Sequence, residues 1–287
     1  MKFGLSFANA GPFAEPEAMV HLAQTAEANG IESIWTVEHV VIPVGYESTY
    51  PYDPSGRIPA PENVDIPDPL VSLAYVAAQT TTLRLATGIL ILPQRHPIYV
   101  AKEVATLDKL SGGRAILGIG VGWLEEEFDA LGVPFADRAS RTTECVRAIR
   151  SLWKPEAAPF DGKFFAWGGL ESNPKPVQPG GVPIVVGGHT PIAAKRAARY
   201  GDGFFPGRGD VKSLGPLIDT MRAECARLGR NPDEIEITAA NYGGDLDSMK
   251  RLADLGITRL VGMPPGFERA DVEQGLATFA DQVIAKF

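Results

Sequence analysis

The sequence predicts an α/β fold, closed as a single (β/α)8 barrel over residues 1–287. Three observations predict it. Short runs rich in β-branched residues alternate with longer amphipathic stretches, the signature of βα units. Eight such units follow one another, whereas an open doubly wound sheet needs fewer and a switch point in strand order. The length of 287 residues suits one α/β barrel, a fold that often runs to about 250 residues.

The elements follow in order. Phe3–Phe7 is the first strand, bounded by a Gly-Pro turn. Glu15–Asn29 carries Ala18, Leu22 and Ala26 at helical spacing, and Gly30 stops it at C′. Ser33–Val37 is the second strand, and Pro69–Gln79 the next helix. Arg84–Gly88, with the Ile-Leu-Ile that follows, is the third strand. The helix Pro97–Leu110 ends in Ser-Gly-Gly, and Ala115–Gly120 is the fourth strand. Arg138–Leu152 is a helix, Pro183–Gly187 the fifth strand, and Pro191–Tyr200 a helix with proline in its first turn. Gly203–Phe205 is the sixth strand and Leu214–Leu228 its helix. Ile235–Ala240 is the seventh strand, followed by the helix Asp247–Leu255 with Gly256 behind it. Arg259–Gly262 and the helix Asp271–Ala285 complete the eighth unit.

Two stretches break the rhythm. Residues 40–68 hold six prolines and three tyrosines, and residues 153–181 are rich in Gly, Pro and aromatics. Each reads as a variable surface loop or a contact between copies. The first has a second reading as a lid, because it follows strand 2, where the catalytic mouth of a barrel lies.

Composition narrows the partners. The formal net charge of -8 disfavours nucleic acid, which needs a basic surface, while one local positive site suffices for a small anionic ligand. No apolar run reaches the roughly 20 residues of a membrane span. The opening MKFGLSFANAGPF reads as a strand rather than a signal peptide, because Gly11 and Pro12 break it early. Cys145 and Cys225 are the only cysteines, and both read as reduced thiols of a cytoplasmic protein.

Candidate chemistry lies at strand C-terminal ends. These are Glu38-His39, Thr87-Gly88-Ile89, the run from Gly118 through Gly120, Val121 and Gly122 to Trp123, and Gly187-Gly188-His189-Thr190-Pro191. The last group points to phosphate. Its glycines let backbone approach a ligand, Thr190 can cap the following helix, and free N–H groups at a helix start favour an anion. A plain capped turn is the alternative. His39 reads as an acid–base group, a ligand contact or a satisfied structural residue, and Glu38 either orients it or forms a salt bridge elsewhere. His21 reads as structural, and His96 stands near the mouth at a helix start. Glu38, His39, His96 and His189 also test a metal site, but no His-x-His or HExxH supports one. No GxSxG marks a Ser-His-Asp hydrolase, and GIGVG lacks the context of a dinucleotide fingerprint.

Four stretches carry a resemblance: KFGLSF, AEANGIESIWTVEH, TGILILPQRHPIYVAKEVATLDKLSGGRAILGIGVGW and PIVVGGHTPIAAKRAARYGDGFFP. On them the chain resembles the luciferase-like monooxygenase superfamily, in its coenzyme F-420-dependent oxidoreductase branch. LDKLSGGR followed by a GxGxGW strand end is the most specific part. The resemblance covers most of the chain, the two long loops and the last unit matching least.

The resemblance implies a TIM barrel holding FMN or coenzyme F-420 in its mouth. It places a non-prolyl cis peptide at Gly88-Ile89 behind the ring, and makes His39 a coenzyme contact and proton donor or acceptor. It makes Gly187–Thr190 the phosphate site, and it implies a homodimer acting on a small-molecule substrate. Thr87, Gly120, Val121 and His189 join the expected coenzyme contacts. Trp123 and Phe13 are possible pocket walls, and Arg196 and Arg199 possible phosphate neighbours or simply a solvated helix face. Sugar-phosphate dehydrogenases of the branch carry a glutamate where this chain has Val121, which counts against such a substrate. Hydride transfer with F-420 is the leading expectation. An FMN-dependent monooxygenase using oxygen and a non-catalytic flavin-binding protein remain as alternatives, and the retained His39 favours an enzyme.

Overall fold

The computed structural model describes residues 1–241 and 245–287. Its main sheet is parallel and closed. The staves are β1 (Lys2–Ser6), β2 (Ser33–Thr36), β3 (Arg84–Thr87) with β4 (Leu90–Ile91), β5 (Ala115–Gly120), β8 (Ile184–Gly187), β9 (Gly203–Phe205), β10 (Glu236–Ala240) and β11 (Ile257–Gly262). They run β3-β2-β1-β11-β10-β9-β8-β5, and β3 pairs back onto β5. Eight staves therefore close as the sequence predicts, because β3 and β4 are two pieces of one stave. A two-stranded antiparallel hairpin lies outside the barrel, β6 (Phe160–Asp161) with β7 (Ala166–Trp167).

The third stave breaks for a reason visible in its register. Ala86 pairs with Ile116 and Leu90 with Ile119. Four residues of advance on one strand thus match three on the other, which is one bulged residue. The Gly88-Ile89 peptide at the bulge is cis.

The helices are α1 (Pro16–Ala28), α2 (Pro69–Ala77), α3 (Pro97–Ser111), α4 (Glu125–Ala130), α5 (Arg138–Trp153), α6 (Pro191–Tyr200), α7 (Val211–Leu228), α8 (Leu246–Asp254) and α9 (Arg269–Gln282). Their starts follow capping chemistry. Asp68 accepts from Leu70 and Val71, and Asp245 from Ser248. α7 begins three residues before the helical rhythm suggests, because Asp210 and Ser213 form a reciprocal capping box. The sequence rhythm missed α4, whose single run of three glutamates hides a short helix, and the hairpin inside the second long loop.

Two cores result. The larger lies between barrel and helices. The smaller fills the barrel, with Trp35 among Ala86, Ile116, Val185 and Val261. One indole needs small neighbours. A Cβ on Gly4 would come within 2.9 Å of the Trp35 ring nitrogen, and one on Gly118 within 1.9 Å of the Thr87 carbonyl oxygen. Glycines of β1 and β5 therefore make the interior narrow enough to pack around one tryptophan.

The second long loop is an outer strap rather than part of the mouth. Glu144 of α5 accepts from the backbone N–H groups of Lys163, Phe164 and Phe165 at 2.7–2.8 Å. Asp108 of α3 holds Val177 and Gln178. Cys145 and Cys225 are free and buried, and burial pushes the Cys145 thiol up to about 12.

Candidate functional site at the barrel mouth

His39 stands just past the end of β2 with its side chain 12% exposed. Its Nδ1 lies 3.1 Å from Oε2 of Glu127, a fully buried carboxylate on α4. The other oxygen of Glu127 accepts from the backbone N–H of Val40 at 2.6 Å and of Val41 at 3.3 Å. With the Glu127 oxygen accepting, Nδ1 carries the hydrogen of this contact and Nε2 is the ring's second nitrogen. Nε2 has no partner among the described residues. The ring sits edge-on to Trp123 at 5.7 Å. A histidine whose one nitrogen is fixed and whose other is open can give or take a proton there.

Glu127 is the functional residue that sequence reasoning missed. Of the two readings open for Glu38, orienting His39 or forming a salt bridge elsewhere, the structure has the second. Its buried carboxylate pairs with Arg95, at 2.9 Å from Nε, and accepts from the Ile91 backbone. Burial raises the Glu38 pKa, with Arg95 opposing. Glu38 thus pins the end of the third stave. The signal for Glu127 was its spacing beside apolar Leu124 and Phe128, both fully buried, which turns it inward while Glu125 stays exposed.

Ile89 is carried by the bulge onto the ends of two other staves. A Cβ on Gly120 would meet its Cδ1 at 2.5 Å, and one on Gly187 its Cγ2 at 2.8 Å. The glycines at 120 and 187 therefore seat Ile89, a reason that reading them only as ligand contacts overlooked. Thr87 is buried and donates its hydroxyl to the Gly118 carbonyl at 2.6 Å. Val121 is half-buried beside Gly122, whose φ of +81° and contact with Phe128 exclude a side chain. The floor beneath is aromatic, with Phe205 edge-on to Trp35 at 5.4 Å.

The turn after β8 keeps its open donors. Gly188 has φ +136°, and a Cβ there would come within 2.9 Å of Ala193. Its N–H donates to Phe205, and His189 Nδ1 lies 2.6 Å from the Pro206 carbonyl oxygen and donates to it. Thr190 caps α6 through Ala193 at 3.2 Å. The N–H groups of His189, Thr190 and Ile192 have no partner among the described residues. Three open donors at the start of a ten-residue helix suit a phosphate.

The first long loop lies across this mouth. Tyr46 and Tyr50 pack edge-on to Trp123 at 5.6 and 5.2 Å. Glu126 accepts from Glu47 N, Ser48 N and the Ser48 hydroxyl at 2.6–3.0 Å, and the Ser48 contact leads in holding its carboxyl down to about 2. On the far side the Arg208 guanidinium donates to the Tyr52 carbonyl at 3.5 Å. α4 thus supports the histidine with Glu127 and the loop with Glu126.

Other expected residues lie apart. His96 accepts from Ile98 N as the cap of α3 and packs against Phe165, and burial lowers its pKa. His21 faces Glu273 between α1 and α9. Phe13 is buried against Phe267. Arg199 pairs with Glu224 of α7, and Arg196 faces α5. Among the described residues, no three or more His, Cys, Asp or Glu side chains gather as a ligand set. No described helix is long and apolar enough to cross a membrane.

A family model described as luciferase-like monooxygenase matches residues 1–242. An uncharacterized protein of Mycobacterium tuberculosis is 35% identical over 276 residues, 93% of this chain and 94% of that protein. An F420-dependent glucose-6-phosphate dehydrogenase of Kineococcus radiotolerans is 33% identical over 237 residues, 80% of this chain and 64% of that one. The crystal structure of a Streptomyces bottropensis monooxygenase matches with a TM-score of 0.79 at 23% identity, over 100% of this chain and 99% of that one, a likeness of fold.

Proposed function

The chain belongs to the luciferase-like monooxygenase family, and from that premise we propose that it is a one-domain oxidoreductase passing a hydride between coenzyme F-420 and a small organic substrate. The observation that carries the reading is the His39–Glu127 pair, which engages Nδ1 and leaves Nε2 without a partner among the described residues. The F420-dependent relative supports F-420, and the family's monooxygenases make FMN with molecular oxygen the second reading.

The mouth residues fit such a coenzyme. The open N–H groups of His189, Thr190 and Ile192 would hold its phosphate, and Ile89 would stand behind its ring. The coenzyme, when bound, supplies the hydride chemistry. The protein's part is position, dryness and a proton. Glu127 holds the hydrogen at Nδ1, so His39 exchanges the proton at Nε2. Tyr46, Tyr50 and Trp123 close the rim and exclude water beside it. Val121 leaves the rim without an acid at that position, which directs the substrate away from sugar phosphates despite the relative's name.

A homodimer is part of the reading. Val71 and Tyr99 are each 70% exposed on the adjacent helices α2 and α3, with Tyr75 beside them, an apolar face suited to a second copy. The buried free thiols suit a reducing cytoplasm.

Spectral titration of the full chain with F-420 and with FMN tests the reading. Saturable F-420 binding with weaker FMN binding supports it. Tight FMN binding with no F-420 binding overturns it in favour of the monooxygenase. Bound coenzyme without turnover on any substrate panel would identify a non-catalytic binder.

A further inference from the structure

Outside the mouth, the outer faces of α5 and α6 enclose a groove of about 520 Å³. Its cations are Arg147 from α5 and Lys195, Arg196 and Arg199 from α6, and no carboxylate lines it. Arg199 shares Glu224 with Arg227, so that one acid already serves two arginines. Arg147, Lys195 and Arg196 have no ion-pair partner among the described residues. Arg147 has only the ring of Phe160, at 5.6 Å. Burial holds Arg196 below the usual arginine range, and Arg138 and Arg199 add to the effect against an opposing Tyr200. Like charges gathered without a counter-ion cost free energy that a bound anion would recover. In a chain of net charge -8, such a cluster is not the average surface.

We propose that this groove binds an extended small ligand carrying two or more phosphate or carboxylate groups. Cations on both walls, spread along α6, favour a ligand with more than one anionic group. Lys195 and Arg199 stand one helical turn apart, about 6 Å, and the α6 wall from Ile192 to Tyr200 spans about 12 Å. The volume is that of a small-molecule site rather than a polymer track. Ile192 brings one end of the groove to the rim beside the phosphate turn. Such a ligand is therefore either free or the anionic extension of a molecule seated in the mouth. The inference stands without the coenzyme assignment.

Calorimetric titration of the coenzyme-free full chain with sodium tripolyphosphate tests it, with inorganic monophosphate as reference. We expect saturable tripolyphosphate binding at least tenfold tighter than monophosphate. Arg147→Gln with Arg196→Gln weakens it at least tenfold, and the exposed single change Lys195→Gln weakens it measurably with an unchanged melting curve. Thr190→Ala, at the turn, leaves it unchanged. Equal affinity for monophosphate, an adventitious ion only, overturns the proposal. So does the absence of saturable binding, indifference to the groove variants, or loss in Thr190→Ala. Repeating the titration with saturating F-420 separates the sources. Independent binding identifies a free polyanion and mutual exclusion a mouth-ligand extension, and each supports the groove as the site.

Discussion

At the N-terminal end of the barrel, Arg259 is wholly buried beneath Trp35. Glu32 holds it at 2.8–2.9 Å, and Glu236 and Thr238 complete its donors. Burial opposes its charge, and the two glutamates more than offset this, leaving Arg259 above the usual arginine range. At the C-terminal end, His39 meets one buried glutamate through one nitrogen, and its second nitrogen has no partner among the described residues. Both ends couple a cationic or potentially cationic group to carboxylates. One is closed, with donors and acceptors matched, and holds the barrel together. The other is deliberately short of a partner, and that deficit is what a substrate or coenzyme can fill.

Substitutions sharpen this contrast. The largest expected effect is at the open end. His39→Gln should lower kcat by roughly 100- to 10,000-fold, the range for a lost general acid–base, with an unchanged thermal melt. A melt that drops with it would make His39 structural. At the closed end, Arg259→Leu leaves Glu32 without its arginine while Glu236 keeps Lys2, so a loss of about 3 kcal/mol, the low end for breaking a buried pair, is expected in denaturant unfolding. The residual folded fraction should keep its coenzyme affinity, and a selective loss of affinity there would erase the distinction between the ends.

Glu127→Gln is intermediate. It removes a charge-assisted hydrogen bond of about 1.5–3 kcal/mol. A fall in kcat of roughly 10- to 100-fold with little change in KM is expected, together with an altered pH profile. A stability loss with normal kinetics would reduce Glu127 to packing. The smallest effect is at the bottom again. Glu27 accepts from the N–H groups of Thr81, Thr82 and Leu83, and these bonds, acting against burial, lower its pKa to about 2. A depressed carboxylate contributes stability above its unfolded pKa and loses it as pH falls through the folded one. Glu27→Gln should lower Tm by about 1–3 °C at pH 7, the site being largely solvated. The gap to wild type should close between pH 4.5 and about 2.

The barrel was legible because its signals are local. Ala115–Gly120, Pro191–Tyr200 and Gly203–Phe205 have the bounds that their alternation and flanking Gly and Pro imply. The site was legible only in part. His39 and the Gly187–Thr190 turn are marked by strand ends, which chain order reveals. The His39–Glu127 pair spans 88 residues of sequence, and although Leu124 and Phe128 mark Glu127 as the inward-facing glutamate, nothing local names His39 as its partner. The glycines at 120 and 187 read as ligand contacts at strand ends, yet their contact with Ile89 depends on three staves meeting. The groove between α5 and α6 was hidden for the same reason. Arg147 and Arg196 are far apart in sequence, and each alone is an ordinary exposed or half-exposed helix residue.

The claim that ligand binding belongs to the open end is tested most directly by F-420 dissociation constants for three proteins. These are wild type, Gly188→Ala at the mouth and Arg259→Leu at the closed end. Gly188→Ala introduces a Cβ 2.9 Å from Ala193 at φ +136° and should weaken binding at least tenfold. Folded Arg259→Leu should bind as wild type does. Unchanged affinity in Gly188→Ala, or a loss confined to Arg259→Leu, would contradict the assignment of the mouth.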